Sequence, residues 1–133
     1  MGYDFSFERA GKDDSFRFNT GEMDLMRMIM LEAGAVVGRG FKQALTSDNL
    51  DFKPSDASVP MKKFQSNSDW HVTTEECRLI AERVEKALAA GLVDELFSFY
   101  DDDREFLNSV RERVAPWADY NRRAADHGGY RVR

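Results

Sequence analysis

Aromatic and polar residues alternate from Tyr3 to Glu8 and again from Ser15 to Asn19. A period of two with aromatics on one side predicts two β-strands. The intervening Arg9 to Asp14 holds Gly11 and two Asp, which suits an antiparallel hairpin. A lone hairpin is marginal in water, so its Phe face calls for a helical cover. The period then lengthens. Asn19 or Thr20 caps a helix running to about Ala33, with Gly34 as its left-handed stop. Leu25, Met28, Ile29 and Glu32 lie along one side of it, with Met26, Met30 and Ala33 nearby. These methionines suit core filling against the Phe strands, an adaptable binding groove being the alternative.

From Ala35 to Gln65 no period survives. A short helix is expected within Val36 to Leu45, after the breaks at Gly38 and Gly40, and a long surface loop over 46–61, which holds Pro54 and Pro60. Order returns at Lys63 to Cys77, the stretch with the clearest structural instruction. Thr73 followed three residues later by Glu76 reads as a capping box, and Val72 with Cys77 as the hydrophobic staple around it. The helix so started runs to about Ala90, with Cys77, Ile80, Ala81, Val84 and Leu88 on one face and Gly91 as its stop.

Leu92 to Tyr100 predicts a short helix, and Asp101 to Asp103 precede another carrying Phe106, Leu107, Val110 and Val114. Pro116 is expected to break or bend it. A last helix from about Pro116 to Asp126 carries Trp117, Tyr120 and Ala124, and Gly128-Gly129 ends it. Tyr130 to Val132 alternates briefly and is placed as a strand beside the N-terminal hairpin. The expected class is α+β: one compact domain over 1–133, whose small antiparallel sheet is covered on one face by about four helices.

Composition narrows the function classes. The chain has 133 residues, 42% hydrophobic and 32% charged, which describes a folded globular protein and not a disordered one. No apolar run approaches the ~20 residues that cross a bilayer. The opening MGYDFSFERA lacks the basic and apolar regions of a signal peptide, and a single cysteine allows no internal disulfide; a cytoplasmic location is expected. A net charge of −5 argues against nonspecific nucleic-acid binding. The charge is uneven: Asp94 to Glu105 holds six acids and one Arg, whereas Tyr120 to Arg133 holds four Arg and one Asp.

No catalytic constellation is legible. Cys77 occupies the staple position, with no nucleophile signature around it, and reads as a small buried hydrophobe. His71 and His127 lack the spacing of a zinc site, and Asp101-Asp102-Asp103 lacks the alternation of a calcium loop. No phosphate-binding glycine loop is present. No cofactor or metal is expected, and an enzyme is the least supported class. What remains is Ser66 to His71, a polar approach to the capped helix. Ser66, Asn67 and Ser68 could hydrogen-bond a planar ligand on which Trp70 stacks, with His71 beside it and Arg131 or Arg133 supplying charge. The alternative is that Ser, Asn and Asp build a turn and Trp70 is core.

Two segments resemble a family of bacterial proteins to which no activity is assigned. Its members carry a KF-x-SN-x-x-W-x-VTPEEC-like segment, matched by Lys63-Phe64, Ser66-Asn67, Trp70 and Val72 to Cys77. They close on an AA-x-HGG-aromatic-x-V ending, matched by Ala124 to Val132. Thr74 stands where the resemblance implies Pro, and Thr serves equally at a first helical position. The resemblance implies a fold outline and no chemistry.

Two functions are therefore expected in order. The first is a non-enzymatic protein holding a small polar or nucleotide-like ligand near Ser66–His71, with Arg131 and Arg133. The second is an interaction or inhibitor module that turns the acidic Asp94–Glu105 surface to a basic protein partner. Neither involves a membrane or a nucleic acid.

Overall fold

The computed structural model describes residues 2–45, 50–101 and 103–133. Strands β1 (Gly2–Phe7) and β2 (Ser15–Asn19) form the expected antiparallel hairpin, with Phe5 opposite Phe16. Asp13 turns it at φ 52°, a left-handed conformation that Asp tolerates. Helix α1 (Thr20–Glu32) follows at once. Asn19 caps it by a full capping box with Glu22, both bonds at 2.8 Å, and Gly34 stops it at φ 77°. Arg113 fastens this corner: it pairs with Glu22 at 3.2 Å, donates to the Arg17 carbonyl at 2.6 Å and lies over Phe16 and Phe18.

The segment after α1 departs from the expected short helix. Val36–Val37 is a two-residue strand, β3, paired in parallel with β4 (Val59–Pro60). Glycines at 38 and 40 stop a helix from propagating, and side chains take over the bonding. Gln43 donates to the carbonyls of Leu31, Glu32 and Phe52, while the buried Glu32 carboxylate accepts the amides of Ala44 and Leu45. Of the loop expected over 46–61, residues 46–49 lie outside the described residues. The remainder is anchored, not free: Phe52, Val59 and Met61 are buried, and short 3-10 turns form at Leu50–Phe52 and Met61–Phe64.

Strand β5 (Trp70–Val72) runs into helix α2 (Thr74–Ala89), where the capping box of Thr73 and Glu76 forms as read from the sequence. Helix α3 (Leu92–Phe97) is shorter than expected, because Phe99 and Tyr100 fold back in tight turns onto Leu96 and Phe97 carbonyls. Asp103 caps α4 (Arg104–Arg111). The break before the last helix falls at Glu112-Arg113 and not at Pro116. Helix α5 (Val114–Ala125) holds Pro116 in its first turn, where the missing N–H has no partner to lose. His127 lies beyond the helix end, stacked on Phe7 at 4.8 Å.

Strand β6 (Tyr130–Val132) pairs with β1 as expected, and β5 joins on its other side, a strand not foreseen. The sheet is fully antiparallel in the order β2-β1-β6-β5. Phe5, Phe7, Phe18, Val72, Tyr130 and Val132 point to its inner face and are buried under the helices. Trp117 of α5 sits at the centre, its ring 4.9 to 6.3 Å from Phe5, Phe16, Phe18, Phe64, Tyr120 and Tyr130. No helix among the described residues is long and apolar enough to cross a membrane.

Candidate functional site

The outer face of the sheet is polar, and it brings together three of the residues singled out by sequence, His71, Arg131 and Arg133. Ser6 and His71 both stand opposite Arg131 in the register, so the three share that face. Arg131 grips Glu8 with two bonds of 2.7 and 3.2 Å and reaches the Asp69 carbonyl at 3.3 Å. The Arg131 hydrogen bond holds the Glu8 carboxyl below its usual range. Arg133 pairs with Asp69 at 3.0 Å and donates to Ser6 Oγ at 3.3 Å; Arg17 pairs with Asp4 at 3.3 Å. Each of these three arginines already has a carboxylate.

The Ser66–His71 segment is bonded inward with equal thoroughness. Ser66 Oγ accepts from Trp70 Nε1 and from Ser68 Oγ, both at 3.0 Å. Asn67 Nδ2 donates to the Gly2 carbonyl at 3.3 Å, and the Asp69 amide to the Val132 carbonyl at 2.8 Å. Asp69 holds φ 63°, which swings the chain into β5. His71 Nε2 donates to the Gly128 carbonyl at 2.9 Å. Lys63 Nζ bridges the His71 carbonyl at 2.8 Å and Glu76 Oε1 at 2.7 Å. The loop thus wraps the end of β6 and ties β1, β5, β6 and α2 to one another. Trp70 is half-buried on the inner side, with the Lys62 ammonium 5.3 Å from its ring centre.

The two segments carrying the family resemblance are neighbours in space. β5 pairs with β6, His71 bonds Gly128, and Gly129 passes so close beneath the Val72 carbonyl that no Cβ fits there. Cys77 is buried against the Val72 carbonyl, and burial, helped by Glu76, pushes its thiol up to about 12. Such a thiol is no nucleophile at neutral pH. Among the described residues no group of three or more His, Cys, Asp or Glu is placed to hold a metal ion.

Surface concavities lie elsewhere, one within the acidic 94–105 surface and the methionine face of α1 that the sequence had marked, and one that the sequence reading passed over. One groove of about 440 Å³ lies between α1 and α3, lined by Met28, Leu45, Leu96, Phe99 and Tyr100. Phe99 is 72% exposed at its rim. Its signal was Phe-Ser-Phe-Tyr directly against the acidic run, too many aromatics for one short helix to bury. A second concavity has two arms of about 610 and 410 Å³ that share Val37 and Phe41. Its signal was Gly-Arg-Gly-Phe-Lys at 38–42, a basic, aromatic turn in a stretch without period.

The fold and its surface define a small α+β domain with an open polar sheet face and two apolar concavities, one of them lined by four cations. Comparison with protein-family models, curated proteins and solved structures finds no match for this chain.

Proposed function

We propose that this protein is a non-enzymatic interaction module that docks a basic protein partner on the surface around Phe99. The observation that carries this reading is Phe99 itself, a large aromatic side chain left 72% exposed at the edge of an apolar groove. An aromatic held out of a well-packed core is the anchor type that dominates binding energy at interfaces. The surroundings supply sign. Asp94, Glu95, Asp101, Asp103 and Glu105 are all exposed and lie within six residues of it along the chain, against Arg104 within the same span. Arg111 pairs with Asp94 at 3.1 Å and Asp103 caps α4, while Glu95, Asp101 and Glu105 have no cationic partner among the described residues. Such a rim steers a cationic partner and rejects acidic ones. The ligand reading at Ser66–His71 draws support from the convergence of Arg131, Arg133 and His71 on the outer face of the sheet. Their internal bonding makes it the weaker of the two.

A photo-crosslinking side chain in place of Ser98, used in cells of the source organism, tests the docking reading. We expect capture of a basic protein whose binding to the purified module weakens with salt. Phe99→Ser should weaken that binding by about tenfold or more, while the melting midpoint moves by no more than about 2 °C. Capture of no protein, capture of an acidic one, or unchanged affinity of the variant would refute the reading.

A further inference from the structure

We infer that the two-armed groove around Phe41 is a binding site for a nucleoside phosphate, independent of the acidic docking surface. The groove is built by the turn after β3 and by the Pro60–Gln65 segment. Val37, Pro60 and the buried Met61 form its apolar floor, and Phe41, 42% exposed, stands between the two arms. Gly38 permits this closeness: a Cβ there would come within 2.7 Å of Met61 Cβ and 3.2 Å of the Phe41 ring.

The charge of the lining is one-sided. Arg39 and Lys62 line the larger arm, Lys42 and Lys53 the smaller, and no acid lines either among the described residues. This segregation occurs in a chain of net charge −5. Arg39, Lys42 and Lys53 have no carboxylate partner among the described residues, in contrast to the arginines of the sheet face, which are all paired. Lys62 lies over Trp70, which joins this groove to the Ser66–His71 clasp. Unpaired cations beside an exposed aromatic ring in a concave apolar site call for a ligand with an anionic head and a flat body. A nucleoside phosphate has both: phosphate oxygens take Arg39 and the lysines, and the base stacks on Phe41. Each arm is within the ordinary size of a small-molecule site.

Isothermal titration of the full chain with adenosine and guanosine mono- and triphosphates tests this, with inorganic triphosphate and a poly-glutamate peptide as the other arms. At least one nucleotide should bind saturably, and about tenfold or more tighter than inorganic triphosphate. Phe41→Ala should remove that advantage, and Arg39→Glu should weaken binding by about tenfold or more. Melting curves of both variants, and of Lys42→Glu as a second cation, verify that the fold is intact. The inference is overturned if no nucleotide binds, if inorganic triphosphate or poly-glutamate binds as tightly, or if the folded variants bind like the parent. It is also overturned if sedimentation shows a self-associated form that Arg39→Glu dissociates, since the groove would then receive the acidic face of a second copy.

Discussion

Thr73 shows how much one side chain decides locally. Its Oγ1 accepts the Glu76 amide at 3.3 Å, and Glu76 Oε1 returns to the Thr73 amide at 2.9 Å while also receiving Lys63 Nζ. One carboxylate oxygen therefore serves the helix start and the tie to β5. Thr73→Ala should destabilise the fold by about 1 kcal/mol, the usual cost of a lost cap, read from urea denaturation. An unchanged midpoint would mean that α2 does not depend on this cap. Lys63 had no assigned role in the sequence beyond its place in a recognisable segment. Its partner carboxylate is thirteen residues away, and its other acceptor is a backbone carbonyl, which no side-chain pattern announces.

At the scale of elements, the turn from α5 into β6 controls the sheet. The amides of His127 and Gly129 both return to the Ala124 carbonyl, at 2.9 and 2.8 Å, and Gly128 and Gly129 take φ of 79° and 88°. The two glycines differ in what surrounds them. At Gly128 a Cβ would meet the Glu8 side chain at 3.5 and 3.7 Å and Arg9 Cζ at 4.0 Å, all ordinary contacts, whereas at Gly129 it would collide with the Val72 carbonyl. Gly128→Ala should then cost about 1–2 kcal/mol, the penalty of a left-handed backbone alone. Gly129→Ala should cost about 3 kcal/mol or more, because β5 must move off β6 as well. Equal losses in the two variants, measured by urea denaturation, would mean that β5 does not lie where the structure puts it. The pair Gly128-Gly129 was legible as a helix stop. The need of the second glycine for β5 was not, since β5 comes from nearly sixty residues earlier.

Across the whole molecule, the core holds three weak acids in their neutral form. Cys77 of α2, Tyr120 of α5 and Tyr130 of β6 are buried, and for each it is burial before any neighbouring charge that raises the pKa. The ordinary values are 9.0 for Cys and 10.0 for Tyr. Raised folded values mean that the folded state holds more protons than the unfolded chain at alkaline pH. The contribution to stability is thus whole below about pH 9 and falls as pH rises, first through Cys77 and then, above about pH 10, through both tyrosines. The urea midpoint should be level from pH 7 to 8.5 and decline progressively steeply above it. Cys77→Ala should flatten the part between about pH 9 and 10. A midpoint level to pH 11 would mean that these groups reach water.

The sequence by itself determined those parts that rest on neighbours along the chain. The aromatic alternation of β1 and β2, the caps at Asn19 and Thr73, the stops at Gly34 and Gly91 and the apolar face of α2 all follow from contacts a few residues apart. Pairing of β6 with β1 was within reach because both strands bury aromatic residues on one side. The rest was decided by tertiary structure. Val36 to Leu45 lacks a period because its polar needs are met at a distance, by Gln43 on the end of α1 and by Glu32 on the loop amides. Ser66 to His71 kept its two readings open for the same kind of reason: Ser, Asn, Trp and His bond a ligand or a backbone equally well. Only the positions of Gly2, Gly128 and Val132 reveal which acceptors lie within reach. Phe41 and Phe99 had no assigned role in the sequence, since neither falls on a periodic face. Their exposure, 42% and 72%, is decided by the tertiary structure, whose core is already packed with six other rings around Trp117.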